Sequence, residues 1–176
     1  MDTYQAIRTR RSIRKFQERP VEKEALARVL EVCSYAPSAK NLQPWRLVIV
    51  QDPAIREALV PACRGQKFIA QAPVVIAFCG KEEDAYSTMG GYWNSLAVDL
   101  AILLDEMSLA AQSEGLGTCW IGAFREEEVK QVLQIPVEVK VVALTPLGYP
   151  DEEPARRPRK GLAEVLYFDG WGRAGS

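Results

Sequence analysis

Apolar positions in this chain recur with two periods, and the alternation between them outlines a fold. Leu26, Val29, Leu30 and Cys33 fall at i, i+3, i+4 and i+7, with Glu22 and Glu24 in the first turn, and predict a core-facing helix over 21–35. Tyr4 and Ile7 mark a short helix that Asp2 or Thr3 can cap, and Asp52-Pro53 supplies an N-cap and an N1 proline for a helix to about Ala62. Glu126 to Leu133 predicts another, closed by Pro136. Between these lie short, continuously apolar, β-branched runs that read as buried strands: Leu47–Val50, Ala72–Cys79 and Val139–Leu147. The longest helical pattern runs from Tyr92 to Glu114 and stops at Gly115 and Gly117. Its apolar residues surround most of the helix, which places it in the core or partly at a subunit contact. Asp99 and Asp105 interrupt that pattern; they read as structural and need partners if buried. Strands separated by helices imply a layered α/β or α+β domain, and 176 residues are the size of one domain.

Two stretches do not fit an alternation of core helices and strands. Ala36-Pro-Ser-Ala-Lys-Asn-Leu-Gln-Pro-Trp45 joins a helix to a strand. Its prolines push Ala36 and Gln43 towards extended backbone, so that Ser38, Asn41 and Gln43 present polar groups from a rigid loop. That suits a flat ligand with polar edges, or a structural loop anchored by Trp45. Arg8 to Phe16 holds five basic residues in nine, and a second basic cluster follows in Asp151–Lys160. Either can be a solvated edge, a phosphate clamp built on planar arginine donors, or a nucleic-acid arm. Lys81–Gly91 is polar and glycine-bearing, a surface loop, and Thr118–Phe124 is a compact apolar segment suited to close backbone approach.

Composition narrows the chemistry. A net charge of -1 and a pI near 5.7 argue against bulk attraction to nucleic acid or anionic membrane, so the basic clusters act locally. No apolar run reaches the roughly 20 residues that span a bilayer. Cys33, Cys63, Cys79 and Cys119 are scattered, without a CxxC pair, and no signal peptide is evident, which predicts a reduced cytoplasmic protein. The chain has no histidine, which removes Ser/His and Cys/His catalysis and imidazole-bound metal; an enzyme of this composition needs a cofactor.

Four separated segments resemble the nitroreductase family of flavoenzymes. They are Arg10-Arg-Ser-Ile-Arg-Lys-Phe16, the Pro-Ser-x-x-Asn-x-Gln-Pro-Trp pattern at 37–45, Gly115-Leu-Gly-Thr-Cys-Trp-Ile-Gly122, and Arg157-Pro-Arg159. The resemblance implies an α+β fold with a mainly antiparallel or mixed sheet flanked by helices, and an intertwined homodimer with FMN sites at its interface. The 92–114 pattern resembles the family's dimer-interface helix, and an inserted helical excursion found in longer members is missing. By the same resemblance Arg10, Ser12, Arg157 and Arg159 hold the FMN phosphate, Arg11 assists, and Arg14 approaches the pyrimidine edge of the ring. Pro37, Ser38, Ala39 and Asn41 come from the partner subunit with Gln43 nearby, Gln66 reaches the polar edge, and Ile121 and Gly122 lie beside N5. The implied reaction passes a hydride from NADH or NADPH through FMN to nitroaromatic, quinone or similar flat acceptors by a ping-pong mechanism. A flavin storage, sensor or delivery protein, or a different flavin reaction such as reductive dehalogenation, is the alternative. The acidic balance leaves little room for a nucleic-acid module.

Overall fold

The computed structural model describes residues 1–173. Strands β1 (Trp45–Val50), β2 (Val74–Gly80), β3 (Gly117–Thr118) and β4 (Lys140–Gly148) form one sheet in the order β1-β2-β4-β3, with every neighbouring pair antiparallel. Helices α1 (Thr3–Thr9), α2 (Lys23–Glu31), α3 (Pro53–Ala62), α4 (Phe68–Gln71), α5 (Leu96–Ser113) and α6 (Glu126–Leu133) cover it. The fold is therefore α+β, three layers deep.

β2 shows why the sheet has two cores. Every residue from Val74 to Gly80 is buried. Val74, Ile76 and Phe78 face one core with α2, α5 and Leu147, while Val75, Ala77 and Cys79 face the other with α3, α6 and Leu144. The period of two sends alternate residues to opposite faces, and each fully buried Ile, Leu or Phe contributes about 1.5–3 kcal/mol. A third, small cluster of Ile13, Phe16 and Ala72 seats the N-terminal segment on the sheet's end. There Ile13 N donates to Thr118 O at 2.9 Å and Gln17 N to Tyr149 O at 2.9 Å.

Several expectations are corrected. β1 is an edge strand whose Leu47, Val48 and Ile49 are only half-buried, because no strand among the described residues pairs its outer side. α5 begins at Leu96, four residues later than the apolar pattern suggested, because Met89 and Trp93 bridge across a turn holding Gly90 and Gly91 at φ +62° and +90°. Tyr92 and Trp93 are left exposed there. The predicted 21–35 helix is α2 followed by a tighter turn at Val32–Ser34. β3, two residues long, was not foreseen. The four cysteines are free, and burial pushes the thiols of Cys63 to about 11 and Cys79 to about 12, which keeps them protonated and unreactive.

Candidate flavin site

The basic N-terminal segment is held at one end of the sheet by its backbone. Ser12 forms a parallel bridge with Thr118, and Ile13 packs so tightly on Gly117 that a Cβ there would lie 2.6 Å from Ile13 Cγ1. This threads Arg10, Ser12 and Arg14 past Cys119. Burial pushes the Cys119 thiol up, Arg14, the Ser12 hydroxyl and Arg10 act the other way, and Glu152 adds to the rise. Arg11 turns inward, donating from Nη1 to the carbonyls of Arg8 at 2.8 Å and Arg10 at 2.9 Å.

Some arginines of the chain are neutralised by carboxylates and others are not. Arg28 meets Glu114 at 2.6 Å, Arg19 meets Glu22 at 2.8 Å, and Arg125 meets Glu128. Among the described residues no carboxylate side chain pairs with the guanidinium of Arg10, Arg14, Arg157 or Arg159. Unneutralised planar donors gathered beside a hydroxyl suit a dianion.

Arg157 and Arg159 are exposed and lie on an arm without regular secondary structure. The root of that arm is pinned beside the N-terminal segment, where Asp151 N donates to Lys15 O at 2.9 Å, Lys15 pairs with Asp151 at 2.7 Å, and Arg14 N donates to Glu152. Arg157 lies five positions after Glu152, a span of at most about 18 Å.

The 36–45 loop is rigid, but by a different device from the one its prolines suggested. Gln43 is not extended: it sits at φ +50°, with Lys40 at +52° and Asn41 at +57°. Three left-handed non-glycine residues so close together need outside support. Within the loop, Ser38 Oγ accepts from Gln43 N at 2.9 Å, and Asn41 Oδ1 accepts from Gln43 Nε2 at 3.1 Å. These bonds use acceptors, so the Ser38 hydroxyl hydrogen and the Asn41 amide N–H groups remain as outward donors. Pro37 and Asn41 are exposed, Ser38 and Ala39 half-buried. Trp45 is buried and anchors the loop.

Around the third segment the expectations divide. Gln66 does reach it, but its amide nitrogen is committed, donating to Cys63 O at 2.8 Å and Ala123 O at 3.0 Å. It braces the 121–123 turn and has only its carbonyl oxygen left for a ligand. Ile121 is 1% exposed, with its side chain in the α3/α6 core and its backbone paired with Leu144, so it can offer a ligand nothing from its side chain. Gly122 is exposed next to the half-exposed Trp120. A cleft of about 1340 Å³ lies elsewhere, between Phe16–Val21, α3 and α4, and holds none of the expected residues.

Sequence reasoning missed Gly117 and the partner of Asp99. The first had a signal only as a glycine; the second was signalled by a charge in an apolar helix. Asp105, the other interruption, is exposed.

The sequence matches the nitroreductase-family model over residues 7–67 and 62–149. The chain belongs to the nitroreductase family. It is 34% identical to an NADH dehydrogenase of Thermus thermophilus, over 96% of this chain and 96% of that one. It is 32% identical to an FMN reductase [NAD(P)H] of Bacillus subtilis, over 90% of this chain and 70% of the relative. Its structure superposes with a TM-score of 0.86 on an NADPH:FMN oxidoreductase from Vibrio harveyi in complex with NAD+, at 28% identity, covering 98% of this chain and 79% of that one. The four motif segments of this nitroreductase-family chain sit in loops and turns and at the sheet's margins, the first residue of β1 and the short β3.

Proposed function

We propose that this chain is an FMN-dependent NAD(P)H oxidoreductase that works as a homodimer, with each flavin held between two subunits. The observation that supports it is the bridge of Ser12 to Thr118, which seats Arg10 and Arg14 at the sheet's end with no carboxylate on either guanidinium among the described residues, in a family whose relatives include a named FMN reductase. Arg10 and Ser12 hold the phosphate, joined by Arg157 and Arg159 once the arm is docked, with Arg11 bracing the segment. Arg14 lies at the pyrimidine edge. A phosphate of about two negative charges is neutralised in this way without making the whole chain basic.

FMN, when bound, supplies hydride transfer from NADH or NADPH to a flat acceptor such as a nitroaromatic or quinone, in two successive half-reactions. The protein's part is placement. The donors of Ser38 and Asn41 match the carbonyl-bearing edge of an isoalloxazine ring, and Pro37 and Ala39 supply apolar contact. Gln66 fixes the backbone around Gly122 so that the ring can lie close to it. Arg14 stabilises negative charge developing at the pyrimidine edge. No proton-shuttling imidazole is needed.

Two features support the dimer. Val98, Ala101 and Ile102 form a half-exposed apolar strip on α5, flanked by Asp105 and Glu106 around a shallow groove of about 500 Å³. The arm beyond Glu153 exposes an apolar set, Leu162, Val165, Leu166, Tyr167, Phe168 and Trp171. Both lose apolar exposure if a second copy covers them. Among the described residues no helix is long and apolar enough to cross a membrane. Initial-rate kinetics test the reaction order: parallel double-reciprocal lines are expected with NAD(P)H and a quinone varied together, and intersecting lines would refute ping-pong turnover.

A further inference from the structure

Asp99 is 2% exposed, one turn into α5, and plays no part in the chemistry described above. Its carboxylate has no basic partner among the described residues. Instead Oδ1 accepts the Ala39 N–H at 2.9 Å and Oδ2 accepts the Ser95 hydroxyl at 2.7 Å. Ser95, fully buried, carries the connection onward: its Oγ accepts the Tyr86 N–H at 3.0 Å and its N–H donates to Tyr86 O at 2.8 Å. Three segments thus meet at one buried pair: the 36–45 loop, the start of α5, and the loop bearing Tyr86, Tyr92 and Trp93.

The connection is placed where the loop needs it. Ala39 immediately precedes the left-handed residues Lys40 and Asn41, a backbone that persists only when its surroundings over-determine it. Lys40 Nζ sits 4.4 Å over the Tyr86 ring, a second tie between the same two loops. At the far end of the loop, Pro44 rests on Gly80 so closely that a Cβ there would lie 2.6 Å from Pro44 O. A buried carboxylate facing only neutral donors is a poor way to gain stability, since an apolar side chain of similar volume serves as well or better. What it provides is one geometry for the chain that passes it.

We propose that Asp99 is a positioning residue for the flavin site: by fixing Ala39 it sets the shape of the 38–43 turn, and because that turn serves the partner subunit's flavin, Asp99 acts across the dimer. Ser95 extends the same control to the Tyr86 loop. The proposal rests on the reading that the turn lines the partner's FMN. Asp99→Leu keeps the branching at Cγ with somewhat larger groups and leaves the Ala39 N–H and the Ser95 hydroxyl unpaired; Asp99→Asn keeps the size and an acceptor for Ala39 and disturbs only the Ser95 side.

The test is FMN titration of the dimer, with thermal unfolding recorded alongside. Asp99→Leu should weaken FMN at least tenfold and Asp99→Asn three- to tenfold. Val129→Ala, which opens the opposite core, should lower the melting temperature yet leave FMN affinity within twofold. The decisive sample is a mixed dimer of differently tagged Asp99→Leu and Arg10→Ala subunits. Action across the dimer concentrates both defects in one site and leaves the other intact, so half the FMN should bind with wild-type affinity. A mixed dimer with no wild-type site would overturn the proposal, as would wild-type affinity in Asp99→Leu. Should Asp99→Leu not fold, Asp99→Asn carries the same design, and wild-type affinity in Asp99→Asn then overturns it. Asn41→Ala separates the two levels: if it weakens FMN and the Asp99 variants do not, only this proposal fails, and if it changes nothing, the reading of the turn fails.

Discussion

Gly117→Ala should damage the flavin site without touching a flavin ligand. A Cβ at Gly117 would lie 2.6 Å from Ile13 Cγ1, 2.9 Å from Ile13 Cβ and 3.1 Å from Pro150 Cγ. Carbon atoms rest about 3.5–4.0 Å apart, so the Ile13 contacts must open by about 1 Å. Cγ1 can rotate away at about 0.5–1.5 kcal/mol, but Cβ moves only with the backbone, and Ile13 is buried against Phe16 and Ala72. The segment from Arg10 to Arg14 must therefore shift, stretching the 2.9 Å bond from Ile13 N to Thr118 O. Overpacking of this kind costs about 1–3 kcal/mol of stability. Misplacing one charge-assisted phosphate bond, worth about 1.5–3 kcal/mol, weakens FMN about tenfold to hundredfold. Fluorescence titration of FMN reads this directly. Gly115→Ala is the control: φ is +74° and a Cβ would meet nothing within 4 Å. It should lower stability by about 1 kcal/mol through left-handed strain alone and leave FMN affinity within threefold. Equal loss of affinity in both variants, or in neither, would refute the reasoning.

Other consequences are as specific. Arg10→Ala and Arg159→Ala should each weaken FMN retention about tenfold or more, with loss of a charge-assisted bond; unchanged affinity in both would remove the phosphate role. Ile102→Asp puts a charge in the apolar strip of α5 and should shift sedimentation from dimer to monomer with parallel loss of bound FMN. Glu22 accepts from the Tyr149 hydroxyl and from Arg19, which hold its carboxyl at about 2, below the ordinary 4.5. A depressed carboxylate stabilises the fold above 4.5, and that contribution disappears as pH falls from 4.5 through 2. Tyr149→Phe should flatten the acid limb of the melting-temperature profile across that window, and an unchanged limb would contradict the assignment.

What could be read from residues alone follows from how local each signal is. Asp52-Pro53 carries both a side-chain cap and a preset φ, and Asp52 does cap α3 through Ala54 N at 2.7 Å. β2 was legible because seven consecutive apolar or small residues leave no polar face. The start of α5 was not, since Tyr92 and Trp93 continue the apolar count while the Gly90-Gly91 turn and the Ser95 contacts, all tertiary, end the helix. β3 is too short to carry a period. In the candidate site, residue types singled out the segments, but Gln43's left-handed φ goes with side-chain bonds to Ser38 and Asn41 that its flanking proline does not announce, and Ile121's burial depends on Leu144, more than 20 residues away in sequence. Gly117 belongs with these, because its requirement is set by Ile13 across the sheet edge.

Anaerobic titration of the FMN-loaded dimer with NADH and with NADPH tests the central claim most directly. The account predicts one FMN per subunit, and loss of its visible absorption with one equivalent of at least one of the two donors. A dimer that takes up no FMN, or whose bound flavin stays oxidised with both donors, would contradict it.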